Sequence, residues 1–390
     1  MKMGTGKTKV ACDLIRLKLK CIDVIIWIAP ASLISSGKYV GEIKKWSRGF
    51  FNKILFYTTE SISKSDEKYF EMREFAGIQK SFCVVDESIL IKNMSALRTQ
   101  RLLNDYHLFD FRIILNGTPI TKSLLDLYAQ ISFLSPNLKM TERQFADNFL
   151  VYFFDGRDPF PWRRWSKPAN VEALVEIIRP YIFNANLKTD CRIRVYNREF
   201  ELDSVERRNY SNFKNAFLDG KYFVSFFTVA QKFQREYSLK CKAKFEATLK
   251  LVGKILKRGE KVVIFVKFVK KAFLLNKALG GLIYIGTRKD DLGRFEREEN
   301  VLVCTYGVGC VGLNLQSANN LIYYSHTFNF KEKEQAKYRV YRTGQTKFVR
   351  VYNMWVSTVL EDIIRYSLSR KRDLLQNVER VITAEEAIDF

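Results

Sequence analysis

Residues 4–8 read Gly4-Thr5-Gly6-Lys7-Thr8, and the stretch behind them, Lys9 to Lys20, carries apolar side chains at Val10, Ala11, Leu14, Ile15 and Leu17. That spacing is one face of a helix. A Gly-x-Gly-Lys-Thr run opening a helix is the core of a phosphate-binding loop. Its glycines let backbone N–H groups close around phosphate oxygens, Lys7 can reach the β- and γ-phosphates, and the Thr8 hydroxyl can bind Mg²⁺. The helix N-terminus adds a dipole that favours an anion. Such a loop normally follows a buried strand, and no strand precedes it here. Either the chain starts in mid-fold or the match is a coincidence, and the remaining sequence has to decide.

Moving outward, Ile22 to Ala29 (IDVIIWIA) is a continuous apolar run, as expected of a strand buried on both faces of a parallel sheet. Gly41 to Trp46 reads as helix and Lys53 to Tyr57 as a short strand. Ser81 to Asp86 (SFCVVD) is a buried strand running into two carboxylates, and Phe111 to Asn116 (FRIILN) runs into Gly117-Thr118-Pro119. Strands alternating with helices predict a doubly wound α/β domain, whose ligand sits at the carboxyl ends of the strands. Every polar motif so far falls at such an end.

From about Leu138 to Pro180 the pattern breaks. Phe153 to Pro168 is aromatic, basic and interrupted by proline, and reads as an irregular insert. A structural insertion is favoured there over a nucleic-acid contact. Arg192 to Leu202 alternates as a strand does, and Val205 to Gln234 has Phe and Tyr at roughly helical spacing, which points to core packing. A second α/β alternation begins near Cys241. Its helices are Lys244–Lys257 and Lys270–Leu279, and its strands are Lys261–Val266, Leu282–Ile285, Val301–Thr305, Leu321–Ser325 and Phe348–Met354.

Composition bounds the chemistry. The chain has 390 residues, 47% hydrophobic, with 65 Lys plus Arg against 42 Asp plus Glu, a net charge of +23. It can bury full cores in two or three domains. The charge favours a polyanionic partner, nucleic acid first, over a merely well-solvated basic surface. The 7 cysteines form no Cys-x-x-Cys pair, which argues against zinc and against a disulfide framework, and for a reducing compartment. The 2 histidines, His107 and His326, stand beside no nucleophile or metal-ligand pattern, so histidine-based catalysis is not expected. No apolar run reaches about 18 residues, so no membrane span is expected. A phosphate loop at residue 4 leaves no room for a signal peptide, and a cytoplasmic location is expected.

Two further constellations carry chemistry. Asp86-Glu87, at the end of an apolar strand, is the expected place for a Mg²⁺-binding carboxylate and a water-activating one: Asp86 would hold the ion and Glu87 would orient and deprotonate the attacking water. In isolation an Asp-Glu pair is more often a solvated turn; the strand and the upstream loop reverse that. Farther on, Gln335, Arg339 and Arg342 fall at i, i+4 and i+7, the spacing of one helix face, with Gly344 as the stop. Two arginines on one face, with no acid spaced to neutralise both, suit an anion about as well as they suit solvent.

Taken in order, these pieces resemble one family. Gly4 to Thr8 is similar to motif I of superfamily two helicases. Trp27 to Leu33, followed by Glu42 to Trp46, resembles motif Ia. Val84-Val-Asp-Glu-Ser88 with Ile91-Lys92-Asn93 resembles motif II of the Swi/Snf-like branch, and Leu115 to Ile120 with Phe133 to Pro136 resembles motif III. Val262–Phe265, Thr305–Leu315 and Gln335–Gln345 resemble motifs IV, V and VI. Seven motifs in order remove the coincidence. Departures are Ser88-Ile89, where the family usually has Ala-His in a position linking ATP to motif III, and Cys310, where motif V usually has glycine.

The resemblance implies an α/β fold of two RecA-like parallel-sheet lobes with a helical insertion at about 137–190, one lobe over 1–203 and the other over 204–390. It implies an ATP-driven motor on DNA, duplex DNA in particular, with translocation more secure than strand separation. Protein partners are not indicated. The alternatives are an RNA-directed helicase and a nucleic-acid-binding subunit with an incomplete ATPase, the latter because the strand and adenine-gripping segment that normally precede motif I are not found before Gly4. ATP and Mg²⁺ would be held by Gly4, Thr5, Gly6, Lys7, Thr8 and Asp86, with Thr8 and Asp86 on the metal. Glu87, Arg339, Arg342 and Gln345 would serve catalysis. Ser32, Lys92, Thr118, Thr305, Gly309 and Asn314 would contact nucleic acid or couple it to ATP.

Overall fold

The computed structural model describes residues 5–35, 37–121, 123–135, 138, 140–154, 164–183, 191–218, 234–235, 241–309, 313–342 and 344–386. They fall into two compact units, Met1–Leu187 with Arg370–Phe390, and Lys188–Ser369. Each is built on a parallel sheet, as expected of an α/β fold with two RecA-like lobes.

The first unit holds β1 (Val24–Ala29), β2 (Ile54–Thr58), β3 (Ser81–Asp86) and β4 (Phe111–Leu115) in the order β2-β1-β3-β4. All pairs are parallel, with Trp27 opposite Phe56 and Val84, and Val84 opposite Ile113. Every residue of β1 and β3 is buried, which is why neither alternates in sequence. The Asp66–Ile78 helix packs Tyr69, Met72 and Ala76 onto Ile26, Ile28 and Val85. Because the strands are parallel, Ala29, Asp86 and Leu115 all end at one edge of the sheet. That edge collects the loops that matter below.

The stretch expected as a helical or irregular insertion has more order than its composition implies. A Thr141–Gln144 capping box starts the Glu142–Phe149 helix, which is followed by β5 (Leu150–Phe154) and β6 (Arg164–Pro168), paired antiparallel, and by the Val171–Ile178 helix. The expectation of an irregular Phe153–Pro168 is therefore corrected at both ends. β5 is rich in aromatic and β-branched residues, and its register sets Phe153 opposite Trp165. Residues 155–163 lie outside the described ones. Phe145, Phe149, Leu174 and Ile178 close a small core with Leu127 and Ile131.

The second unit contains β7 (Ile193–Phe200), β8 (Val262–Val266), β9 (Leu282–Tyr284), β10 (Val301–Thr305), β11 (Asn320–Tyr323) and β12 (Val349–Val356), ordered β7-β12-β11-β8-β10-β9 and parallel throughout. The sequence reading placed Arg192–Leu202 with the first lobe. Instead β7 pairs along its whole length with β12, from Ile193 opposite Val349 to Phe200 opposite Val356, and Tyr196 stacks on Tyr352 with ring centroids 5.1 Å apart. Its partner is remote in sequence, so no local pattern reveals the pairing. Of Val205–Gln234, Ser204–Leu218 is helical and 219–233 lies outside the described residues. One ion pair, Lys244 with Glu361 at 3.7 Å, is buried inside this unit. His326 is buried too, its ring stacked on Trp355 at 3.4 Å. No described helix is long and apolar enough to cross a membrane.

Candidate active site

Gly6 caps the Lys7–Lys18 helix in the left-handed region, φ +83°, ψ 31°. A Cβ there would meet nothing within 4 Å, so the backbone angle rather than space calls for glycine. The helix has no side-chain N-cap and no acidic residue in its first turn. Its first-turn amides are thus presented as anion donors, with Val10 N–H already bonded to Gly6 O at 3.1 Å. Thr5, Lys7 and Thr8 are partly buried; Gly4 lies outside the described residues. A cavity of about 580 Å³ opens beside the loop, lined by Lys7, Val10 and Leu14 on the helix and by Ile113, Leu115 and Asn116 on the β4 side.

Asp86 ends β3 and is buried. Tyr39 Oη donates to its Oδ2 at 2.6 Å, Trp27 Nε1 donates to Tyr39 Oη at 3.0 Å, and Glu87 N–H donates to its Oδ1 at 2.8 Å. Burial pushes the Asp86 carboxyl up from its ordinary range, and the Glu87 charge pushes it further. The Tyr39 hydroxyl, the Lys7 ammonium and the Glu87 amide pull it partly back. Burial and the Asp86 charge also raise the Tyr39 hydroxyl, which therefore stays a donor. Glu87 is a non-glycine residue in the left-handed region, φ +54°, ψ 46°. Strain of that kind persists only where surrounding contacts over-determine it.

These residues fit a Mg²⁺ ion. A buried carboxylate made reluctant to ionise by its neighbour is one that a divalent cation would return to the charged form. Mg²⁺ takes few protein ligands beside substrate oxygens and water. Among the described residues no group of three or more His, Cys, Asp or Glu could form an all-protein cage.

The residues expected to touch nucleic acid are less uniform. Ser32 is exposed, on the short Ala31–Ile34 helix after β1. Lys92 is tied down: it donates to Thr121 Oγ1 and pairs with Asp126 Oδ1 at 3.1 Å. Thr118 is 2% exposed, and its hydroxyl has no hydrogen-bond partner among the described residues.

In the second unit, Thr305 ends β10 and is buried, and Gly309 sits so close to that strand that a Cβ would lie 2.8 Å from the Phe265 ring and 2.9 Å from Cys304 Sγ. Asn314 accepts the Gln316 amide at 3.4 Å. The single helix face expected for Gln335, Arg339 and Arg342 is not realised. The helix spans Phe330–Val340 and ends where Tyr341 turns extended, at φ −91°, ψ 91°. Gln335 and Arg339 stay on it; Arg342 lies on the following bend, and Gly344, φ +92°, serves the turn rather than the helix end. Arg339 Nη1 donates to Leu313 O at 3.4 Å. Gln345, expected in catalysis, is buried, and its amide donates to the carbonyls of Gln316 (2.9 Å), Ala318 (2.8 Å) and Val340 (3.2 Å). Its side-chain carbonyl takes the Lys347 amide at 3.0 Å. That geometry makes it a clamp on the loop.

Sequence reasoning missed Tyr39 and Gln130. Tyr39 falls before Gly41, where the helix was expected to begin; the helix begins at Gly37. Gln130 is a lone amide in an apolar run, Leu124 to Leu134, and a buried polar side chain in such a run needs partners. That signal was available.

Comparison with known proteins identifies the family. Residues 2–251 match the SNF2-related domain and residues 243–344 the helicase conserved C-terminal domain. An uncharacterized ATP-dependent helicase of Mycoplasma genitalium is 24% identical over 354 residues, covering 83% of this chain and 32% of the relative. A SWI/SNF chromatin-remodeling complex subunit of Schizosaccharomyces pombe is 23% identical over 442 residues, covering 96% and 26%. The transcription regulatory protein SNF2 of Saccharomyces cerevisiae is 21% identical over 444 residues, covering 96% and 26%. The chain spans well under half the length of each of these relatives. With the SNF2-related domain matching most of its length and the helicase conserved C-terminal domain following it, the chain belongs to the SNF2-related family.

Proposed function

We propose that this protein hydrolyses Mg²⁺-ATP and couples the hydrolysis to movement along DNA, duplex DNA being the favoured track. One arrangement carries the proposal most strongly: Gly6 opens the Lys7–Lys18 helix without an acidic residue in its first turn, and Lys7 lines a cavity with Leu115 and Asn116 in the unit whose β3 ends in the buried, Tyr39-bonded Asp86. Lys7, with the first-turn amides, takes the phosphates; Thr8 and Asp86 take Mg²⁺, which would neutralise phosphate charge; Glu87 orients the attacking water and accepts its proton. Arg339 and Arg342 are assigned to the charge on the transferring phosphoryl group, and Gln345 to holding their loop. Ser32, Thr305 and Asn314 are assigned to the nucleic-acid track. Lys92 and Thr118, held or buried as they are, are assigned to coupling. The unit Lys188–Ser369 is taken as the second lobe, and a cytoplasmic setting is proposed on a sequence whose 7 cysteines form no Cys-x-x-Cys pair.

The test is ATP hydrolysis with and without duplex DNA, for the wild type, Lys7→Ala and Glu87→Gln. DNA-stimulated hydrolysis is expected, reduced about 10²–10⁴-fold by Glu87→Gln with ATP binding retained, and lost with weakened ATP binding in Lys7→Ala. A wild type that hydrolyses no ATP with any nucleic acid overturns the reading. DNA affinity should also fall steeply with salt, because each phosphate contact releases counterions.

A further inference from the structure

The helix that follows β1 brings a phenol to Asp86, and the chemistry above gives it no task. Tyr39 lies near the start of the Gly37–Trp46 helix and is 9% exposed. Its Oη stands 2.6 Å from Asp86 Oδ2 and 3.0 Å from Trp27 Nε1. Trp27 is fully buried in β1 and faces Val84 of β3 in register. An indole N–H can only donate. The Tyr39 oxygen therefore accepts from Trp27, and its single proton goes to Asp86. Chemistry, rather than a choice of rotamer, sets the direction of the series.

The result is a carboxylate pinned through both oxygens. Oδ2 takes the Tyr39 hydroxyl, and Oδ1 takes the Glu87 N–H at 2.8 Å. Each oxygen has given one of its acceptor positions to the protein, so the carboxylate is not free to turn. A hydroxyl-to-carboxylate bond this short is of the charge-assisted kind, and an incoming cation displaces it only at a cost. Divalent cations ask different things of such a group. Mg²⁺ keeps much of its water and takes few protein oxygens, in a strict geometry. Ca²⁺ collects more oxygens at longer distances and readily takes both oxygens of one carboxylate. A carboxylate held at both oxygens suits the first cation better than the second. Of the two donors, the Glu87 amide belongs to the backbone; the hydroxyl is there only because residue 39 is tyrosine.

We propose that Tyr39 is a positioning residue that sets the cation preference of the site: its hydroxyl holds Asp86 so that Mg²⁺ is favoured over Ca²⁺. This rests on the reading of Asp86 as the carboxylate that takes the cation. The Tyr39 hydroxyl is spent on Asp86, and it acts through that carboxylate.

The experiment titrates Mg²⁺ or Ca²⁺ into the full chain and reads the binding of a fluorescent, non-hydrolysable ATP analogue, with EDTA as the metal-free arm. Wild type, Tyr39→Phe and Trp27→Phe are compared, and Tm is measured in EDTA. The wild type should reach half-saturation at lower Mg²⁺ than Ca²⁺. In Tyr39→Phe the ratio of the Ca²⁺ to the Mg²⁺ half-saturation should fall about tenfold, the scale of one hydrogen bond to a charged group. Analogue binding in EDTA should stay within about twofold, because a positioning role toward the cation shows only when the cation is present. Trp27→Phe leaves the hydroxyl in place but removes the donor that aims it, so the ratio should fall by about threefold, the scale of a neutral hydrogen bond. That arm tests the inference even if Tyr39→Phe shows a lowered Tm and folds poorly. A cation ratio unchanged in both variants overturns the inference. So does a wild type that does not prefer Mg²⁺, a weakening of both cations together, or a loss already complete in EDTA, each of which leaves Tyr39 a packing residue. A wild type whose analogue binding ignores both cations defeats the reading of Asp86 first, and the wild-type arm alone reveals it.

Discussion

Two strands of this protein end in loops with opposite designs. β3 is wholly buried and ends in charge: Asp86 is sealed under Tyr39, and Glu87 is bent into a conformation that non-glycine residues avoid. β10 is equally buried and ends in shape: Gly309 lies against Phe265 and Cys304 with no room for a methyl group. Both ends sit at the carboxyl edge of a parallel sheet. The first holds a buried carboxylate whose ionisation burial and its neighbour oppose, beside a strained glutamate. The second fixes a backbone path. One strand end tolerates electrostatic strain; the other needs close packing.

The contrast can be broken most directly at Gly309. Gly309→Ala puts a Cβ into the Phe265 ring, and overpacking of this kind costs about 1–3 kcal/mol. Urea unfolding of the second unit should show that loss; an unchanged midpoint would mean that the loop end is not shape-built. At the other strand end the sign reverses. The carboxyl of Asp86 is raised by folding, so its contribution to stability is present at low pH and is lost as pH rises through the folded value. At pH 7.5 Asp86→Asn should therefore raise Tm, by about 2–4 °C, while abolishing Mg²⁺-dependent hydrolysis. A lowered Tm would show that the buried charge is compensated.

The smallest expected effect sharpens the comparison from outside both loops. Lys271 is brought from 10.5 to about 8, by burial first and then by the Lys244 charge, with Cys241 opposing. Its ammonium lies over Phe245 at 4.6 Å and Tyr324 at 5.2 Å. A lysine whose folded pKa is below its unfolded one sheds its proton more readily when folded, so stability rises with pH above about 8. The urea midpoint of the second unit should climb between pH 8 and pH 10, and Lys271→Met should flatten that climb. The first unit should not share it.

Much of this was legible in the sequence because parallel sheets write themselves as uninterrupted apolar runs. Ser81–Asp86 was bounded correctly from SFCVVD alone, and the carboxylates followed from where that run stopped. Side-chain placement was legible where an apolar run stops, as at Asp86, the last residue of β3. It was not legible where the partner is a carbonyl far along the chain. Gln345 reads as catalytic by position, yet its amide is used up by the carbonyls of Gln316, Ala318 and Val340. Arg342 reads as helical by spacing, yet the helix ends at Val340, and spacing cannot see Tyr341 turn extended. β7 escaped its unit because its whole register lies with β12.

The hydrogen-bonded series Trp27–Tyr39–Asp86 has an optical consequence. The indole is shut off from water and stands two hydrogen bonds from the carboxylate proposed to take the cation. A charge altered that close shifts the energy of the indole excited state, so the first unit carries its own fluorophore for occupancy of the site. Trp355, stacked on His326 in the other unit, reads a different environment. Trp27→Phe isolates the Trp27 contribution from those of the four other tryptophans, so that a change in it on adding metal or nucleotide reports on the proposed site.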